Sequence, residues 1–204
     1  MTDAREQFGR EAIKYLHSAS HSNEAALARC LECASPKGGP ILDVATGAGH
    51  VAYTFAPHAD SVVALDITQE MLDIVDRVAA ERGLSNIKTC LAPAEELPFA
   101  AENFEGVTCR VAPHHFHDVR AFLSEAHRVI HPGGWLLVVD TVGIEDPQAN
   151  QELQDIETWR DPSHIRDYTS AEWKEMVESA GFTIRHDEES SYPHNAFDWL
   201  RRMS

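Results

Sequence analysis

Short apolar runs recur along the chain: Ile41 to Ala45, Ser61 to Asp66, Asn86 to Leu91, Phe104 to Arg110 and Trp135 to Asp140. Runs of this length bounded by turn signals predict buried strands. The stretches between them carry helical spacing. Met71, Leu72, Val75 and Val78 form the apolar stripe of a helix running from Thr68, its expected N-cap, to Arg82 and ending at Gly83. Another helix starts at Gly49, and one near Val119 to Ile130 is stopped by Pro132-Gly133-Gly134, which delivers the chain into the fifth strand. Two helical segments, around Ala4 to His17 and Asn23 to Ala34, precede the first strand. The former has a mixed amphipathic pattern (Phe8, Ile13, Tyr15, Leu16) that suits a cover over a pocket. Beyond Asp140 come a polar helix from Asp146 to Arg160, a loop, a helix from Ser170 to Ser179, a strand at Phe182 to His186 and the closing stretch Ala196 to Met203.

Strands alternating with helices predict an α/β fold, a doubly wound and mainly parallel sheet with helices on both faces and ligands at the carboxyl edges of the strands. At 204 residues, with no Gly/Ser-rich or Pro-rich linker, the expectation is one domain over 1–204. Within it, 1–36 form a helical lid, 41–140 a cofactor-binding core and 144–204 the acceptor-side and C-terminal elements.

Charge narrows the partners. The 33 acidic against 17 basic residues give a formal charge of -16, which opposes nucleic acid and anionic membranes. The longest apolar runs fall short of a membrane span and the polar start lacks a signal-peptide core, so a soluble, cytoplasmic protein is expected. The four cysteines, Cys30, Cys33, Cys90 and Cys109, have no framework spacing, and Cys30-Leu31-Glu32-Cys33 falls near the end of a helix, where nothing activates a thiol.

The candidate chemistry begins at Ile41-Leu42-Asp43-Val44-Ala45-Thr46-Gly47-Ala48-Gly49-His50. A strand ends beside an acidic residue, and two glycines then allow backbone and ligand to approach closely before a helix begins. This order predicts a nucleotide-type cofactor site, with Asp66 at the tip of the next strand accepting from both hydroxyls of a ribose. A second candidate is Arg110-Val111-Ala112-Pro113-His114-His115-Phe116-His117-Asp118, which leaves the fourth strand on the same edge. Adjacent histidines diverge and no further ligand group is evident, so no metal site is expected there. A structural loop and a general base for proton removal both remain open for His114 and His115.

The ordered segments Leu42 to Gly49, Asp66 to Leu72, Ala94 to Phe99, Arg110 to Phe116 and His131-Pro132-Gly133-Gly134 resemble the class I S-adenosylmethionine-dependent methyltransferases, in particular the small-molecule branch of ubiquinone/menaquinone type. The resemblance covers nearly the whole chain. It implies a Rossmann-like fold, S-adenosylmethionine as cofactor with S-adenosylhomocysteine as product, and methylation of a small acceptor that is aromatic, quinone-like or otherwise lipophilic, at carbon or oxygen. The implied cofactor residues are Asp43, Ala45, Thr46, Gly47, Gly49, Asp66, Ile67, Met71, Pro93, Ala94, Glu95 and Arg110, with Tyr15 contributing from the lid. Pro93 departs from the pattern, because the family usually has an acid there and proline offers neither a carboxylate nor an N–H. The stretch Arg160-Asp161-Pro162-Ser163-His164-Ile165-Arg166 falls where the family inserts acceptor-binding elements. Relatives continue with a final antiparallel strand, so that strand is expected to be incomplete here, and a monomer or homodimer is the expected assembly. Two alternatives stay open: an NAD-type oxidoreductase, because Gly47 to Ala52 also satisfies a loose dinucleotide pattern, and a cofactor-binding protein without turnover.

Overall fold

The computed structural model describes residues 22–191. The helix expected at Ala4 to His17, Tyr15 upon it, and the closing stretch Ala196 to Met203 lie outside the described residues.

The three inner strands of the sheet form where a run of apolar side chains can be buried, and the two outer ones are mostly half-buried or exposed. β1 (Pro40–Val44) is buried from Ile41 onward, and its alternating side chains feed two cores. Ile41 packs with α1 (Glu24–Ala34), α2 (His50–Phe55) and α3 (Gln69–Arg82), whereas Leu42 and Val44 pack with α4 (Val119–Val129) and α6 (Ser170–Ser179). β2 (Ser61–Asp66), β3 (Ile87–Leu91), β4 (Phe104–Arg110) and β5 (Ile130–Val139) complete a five-stranded sheet in the order β3-β2-β1-β4-β5, every pair parallel. Helices thus cover both faces. The order reverses between β1 and β4, which opens a crevice at their carboxyl ends.

Helix boundaries follow side-chain chemistry. Asn23, Asp118 and Asp146 each accept a backbone N–H at the start of α1, α4 and α5 (Pro147–Arg160), and Thr169 with Glu172 forms a reciprocal cap on α6. Thr68 occupies the N-cap position of α3, but its side chain makes no capping bond; its backbone N–H is instead held by Asp66 Oδ1 at 2.9 Å. The carboxylate is the stronger acceptor and already stands at the strand tip.

Two expectations are corrected. β5 begins at Ile130, so Pro132-Gly133-Gly134 is an irregularity within the strand and not a turn before it. The register against β4 jumps from Phe104↔Ile130 to Gly106↔Trp135. Phe182 to His186 forms no strand. After α6 the chain packs Phe182 on the α4 face, against His127, and then reaches the opposite face, where Glu188 meets Arg29 of α1 at 2.6 Å. Those ring and ion-pair contacts hold the segment without any ladder to β5, which is the sheet's edge among the described residues. No helix of the described residues is long and apolar enough to cross a membrane.

Candidate active site

The crevice at the carboxyl ends of β1, β2, β4 and β5 is ringed by buried carboxyl groups. At the end of β1, Asp43 is 2 % exposed and accepts from Thr46 Oγ1 at 2.6 Å and Thr108 Oγ1 at 2.7 Å. Burial pushes its pKa up to about 6, against the pull of those hydroxyls. At the end of β2, Asp66 accepts the Gly47 N–H at 2.8 Å and the Thr68 N–H at 2.9 Å, and burial raises its pKa too. One carboxylate therefore ties the glycine turn to the start of α3.

The backbone between these groups is unusual. Ala45 and Gly47 both have φ of 53°, and Gly49 has φ of 85°. Among the described residues a Cβ at Gly47 would meet nothing within 4 Å; at Gly49 a Cβ would lie 2.6 Å from the Tyr53 ring. The first glycine leaves room at the crevice, and the second lets α2 pack. At the end of β4, Val111 also has φ of 53°, an outlying conformation for a β-branched residue, stabilised by its N–H bonding to Val139 O at 2.7 Å. This bend turns the chain into the histidine loop.

Ile67, Met71, Ala94, Glu95 and Arg110 line the same crevice. Met71 is 2 % exposed and also belongs to the core. Pro93 is not among the lining residues, although Ala92, Ala94 and Glu95 are. Glu95 is engaged by the His117 N–H at 3.1 Å.

A second cluster adjoins the first on the β4 and β5 side. His114 Nδ1 donates to Asp140 Oδ1 at 2.6 Å, their side chains being 9 % and 2 % exposed. Burial pulls the His114 pKa down, but the charge and hydrogen bond of Asp140, with Asp167 and Asp161 behind it, hold it above the ordinary histidine value. His115 lies beside it with ring centroids 4.1 Å apart; burial and the His114 charge push it well below that value. Its Nδ1 donates to Ser163 O at 3.1 Å. Segment 161–167 closes over the loop, Ile165 and Arg166 donating their N–H groups to His114 O at 2.8 and 3.1 Å. His164 stands against His114, centroids 5.6 Å apart. Among the described residues no group of three or more His, Cys, Asp or Glu side chains is placed to hold a metal ion.

The structure thus brings Asp43, Gly47, Asp66, Arg110, His114 and His115 to one crevice. Asp140, Thr108 and Asp167 were not singled out from the sequence as site residues. Asp140 had a readable signal, an acid at a strand tip like Asp43, whereas Thr108 and Asp167 become relevant only through contacts across the fold.

Comparison with known proteins places this geometry. A family model described as a methyltransferase domain matches residues 42–138. The crystal structure of a putative methyltransferase from Bacillus halodurans superposes with a TM-score of 0.85 at 37% identity, covering 88% of this chain and 78% of that one. The chain belongs to the S-adenosylmethionine-dependent methyltransferases. The uncharacterized methyltransferase YcgJ of Bacillus subtilis is 34% identical over 162 residues, 79% of this chain and 64% of its own length; its crystal structure gives a TM-score of 0.84. UbiE of Geotalea daltonii, a ubiquinone/menaquinone biosynthesis C-methyltransferase, is 35% identical over 106 residues, 50% of this chain and 45% of that protein. The chain therefore spans less than two thirds of either curated relative.

S-adenosylmethionine is the cofactor of this family, and the charges of the methyltransferase crevice suit it. Asp43 and Asp66 are buried acids that oppose one another, and a cationic sulfonium placed beside them would offset that repulsion. The pyrophosphate of a dinucleotide, placed against the same glycine turn, would add to the repulsion.

Proposed function

We propose that the chain methylates a small acceptor with an ionisable proton, a phenol, an enol or an activated ring carbon, held against the histidine loop that segment 161–167 braces. The carrying observation is the buried His114–Asp140 pair. Asp140 takes Nδ1, which leaves Nε2 as the nitrogen for the acceptor's proton. Asp140 also stabilises the imidazolium that forms. His115 is a poor base because burial beside His114 holds it neutral, and it instead ties the loop to Ser163.

Asp66 would hold the ribose of the cofactor, Ile67, Met71, Ala94 and Glu95 its base, and the Thr46 to Gly49 turn with Arg110 its methionine end. Bound there, S-adenosylmethionine supplies a methyl group whose bond to sulfur breaks with the electron pair left on sulfur, giving S-adenosylhomocysteine. Positioning the acceptor in line supplies most of the acceleration. An aromatic, quinone-like or other lipophilic acceptor fits the partial likeness to UbiE and the apolar neighbours Phe116, Val138 and Leu153.

The test is turnover of an acceptor panel at saturating cofactor. His114→Gln should lower kcat by about 10²- to 10⁴-fold with cofactor affinity unchanged. His115→Gln should lower it far less. A fully active His114→Gln variant would remove the base from the proposal.

A further inference from the structure

The proposed reaction uses His114 and leaves His164 unexplained. His164 is 3 % exposed, lines the cavity, and its Nδ1 has no hydrogen-bond partner among the described residues. Its tautomer is fixed by its neighbours. The Gln154 amide is oriented by a reciprocal pair with the backbone of Asp167: Nε2 donates to Asp167 O at 3.0 Å and Oε1 accepts Asp167 N–H at 3.0 Å. Gln154 Oε1 therefore faces His164 Nε2, 3.1 Å away, and His164 must carry its proton on Nε2. Nδ1 is a bare lone pair, and burial keeps the ring neutral. A buried acceptor left without a donor is destabilising, and this one stands beside the His114 ring.

We propose that His164 is a specificity residue whose Nδ1 accepts a hydrogen bond from a second hydroxyl of the methyl acceptor, so that the physiological acceptor is a polyhydroxylated small molecule. The inference rests on the reading of this crevice as the acceptor site. It adds that the acceptor presents two donors, one losing its proton to His114 and the other kept and bound by His164. A monohydroxy ring meets only the first demand, and a plain quinone, with carbonyls alone, meets neither. An amine N–H offers the same donor chemistry as a hydroxyl, so both enter the test.

The experiment compares catechol, resorcinol, hydroquinone and 2-aminophenol with phenol on the whole chain. Methylation is followed with S-adenosylmethionine, and equilibrium binding is measured separately with S-adenosylhomocysteine present. The preferred dihydroxy or amino probe should exceed phenol by about ten- to a hundredfold in kcat/KM and in affinity. His164→Phe, which keeps a ring but no nitrogen, should reduce that ratio, taken within the variant itself, to about one; His164→Asn, which retains an acceptor oxygen, should keep part of it. Thermal melts check that both variants fold. If His164→Phe fails to fold, ¹⁵N-histidine spectra of the unaltered chain read the same contact, since Nδ1 of His164 must shift with the preferred probe and not with phenol. An unchanged ratio in a folded His164→Phe variant, or failure of every probe to bind, overturns the assignment. Probe binding with an intact ratio but no turnover overturns the methyl-transfer reading and sustains the His164 contact.

Discussion

At the scale of single residues the site is a set of buried ionisable groups held against their preferences. Asp43 shows the consequence for stability. Folded, it keeps its proton up to about pH 6, against 3.8 for an ordinary aspartate, so between those values the folded state binds more protons than the unfolded one. Stability from this group accordingly falls as pH rises through that window, by on the order of 3 kcal/mol. Asp43→Asn should flatten that fall and stabilise the fold at neutral pH, read by urea unfolding, by on the order of 1 kcal/mol after any loss in its bonds to Thr46 and Thr108, while weakening affinity for a cationic cofactor. His114 is shifted upward as well, and there the consequence is catalytic. Its pKa is held above the ordinary value by Asp140, so the base form, and kcat/KM with it, should rise as pH passes upward through that raised value. Asp140→Asn should move the rise to lower pH and reduce the plateau, read from a pH–rate profile; an unmoved profile would separate Asp140 from the reaction. Asp161, Asp167, His115 and His164 also face His114 and remain unchanged in that comparison.

At the scale of elements, the candidate site sits where strands end. β1 and β4 both leave the sheet through a non-glycine residue of positive φ, Ala45 and Val111, and each bend turns the chain into a site-forming loop. The glycine turn divides its labour in a way that substitution can separate. Gly49→Ala places a Cβ 2.6 Å from the Tyr53 ring at φ of 85°, so it should destabilise the fold by about 2–4 kcal/mol in urea unfolding. Gly47→Ala meets no atom of the described residues, so its cost to the fold should be about 1 kcal/mol, and its main effect should be weaker cofactor binding by calorimetry. Equal effects of the two on affinity and stability would contradict that division. Segment 161–167, a loop in the sequence reading, is a strap that fixes the carbonyl of His114 and carries His164 to the cavity wall.

At the scale of the whole molecule, charge selects among ligands. The chain carries a net -16, and the crevice adds buried acids at the glycine turn. Calorimetry with three ligands should order them as S-adenosylmethionine and S-adenosylhomocysteine together, with NAD far weaker or without measurable binding. Comparable NAD affinity would reopen the dinucleotide reading. Raising monovalent salt should increase the melting temperature, because screening relieves self-repulsion of the acidic surface.

The hydrophobic pattern by itself determined the strand and helix order through α6, because apolar runs and helical stripes record which face of each element must be buried. It also placed Asp43, Gly47, Gly49 and Asp66 around one glycine turn, since a strand–turn–helix unit brings those positions together locally. The missing strand at Phe182 to His186 was not readable, because the run is as apolar as a strand and only its contacts with His127 and the α4 face decide otherwise. The same reason limits the histidines. Sequence gave His114 and His115 equal standing, and tertiary structure alone divided them, setting Asp140 from β5 against one and the carbonyl of Ser163 against the other. Whether a buried histidine is charged or neutral depends on partners from distant segments, and such partners leave no periodicity in the chain.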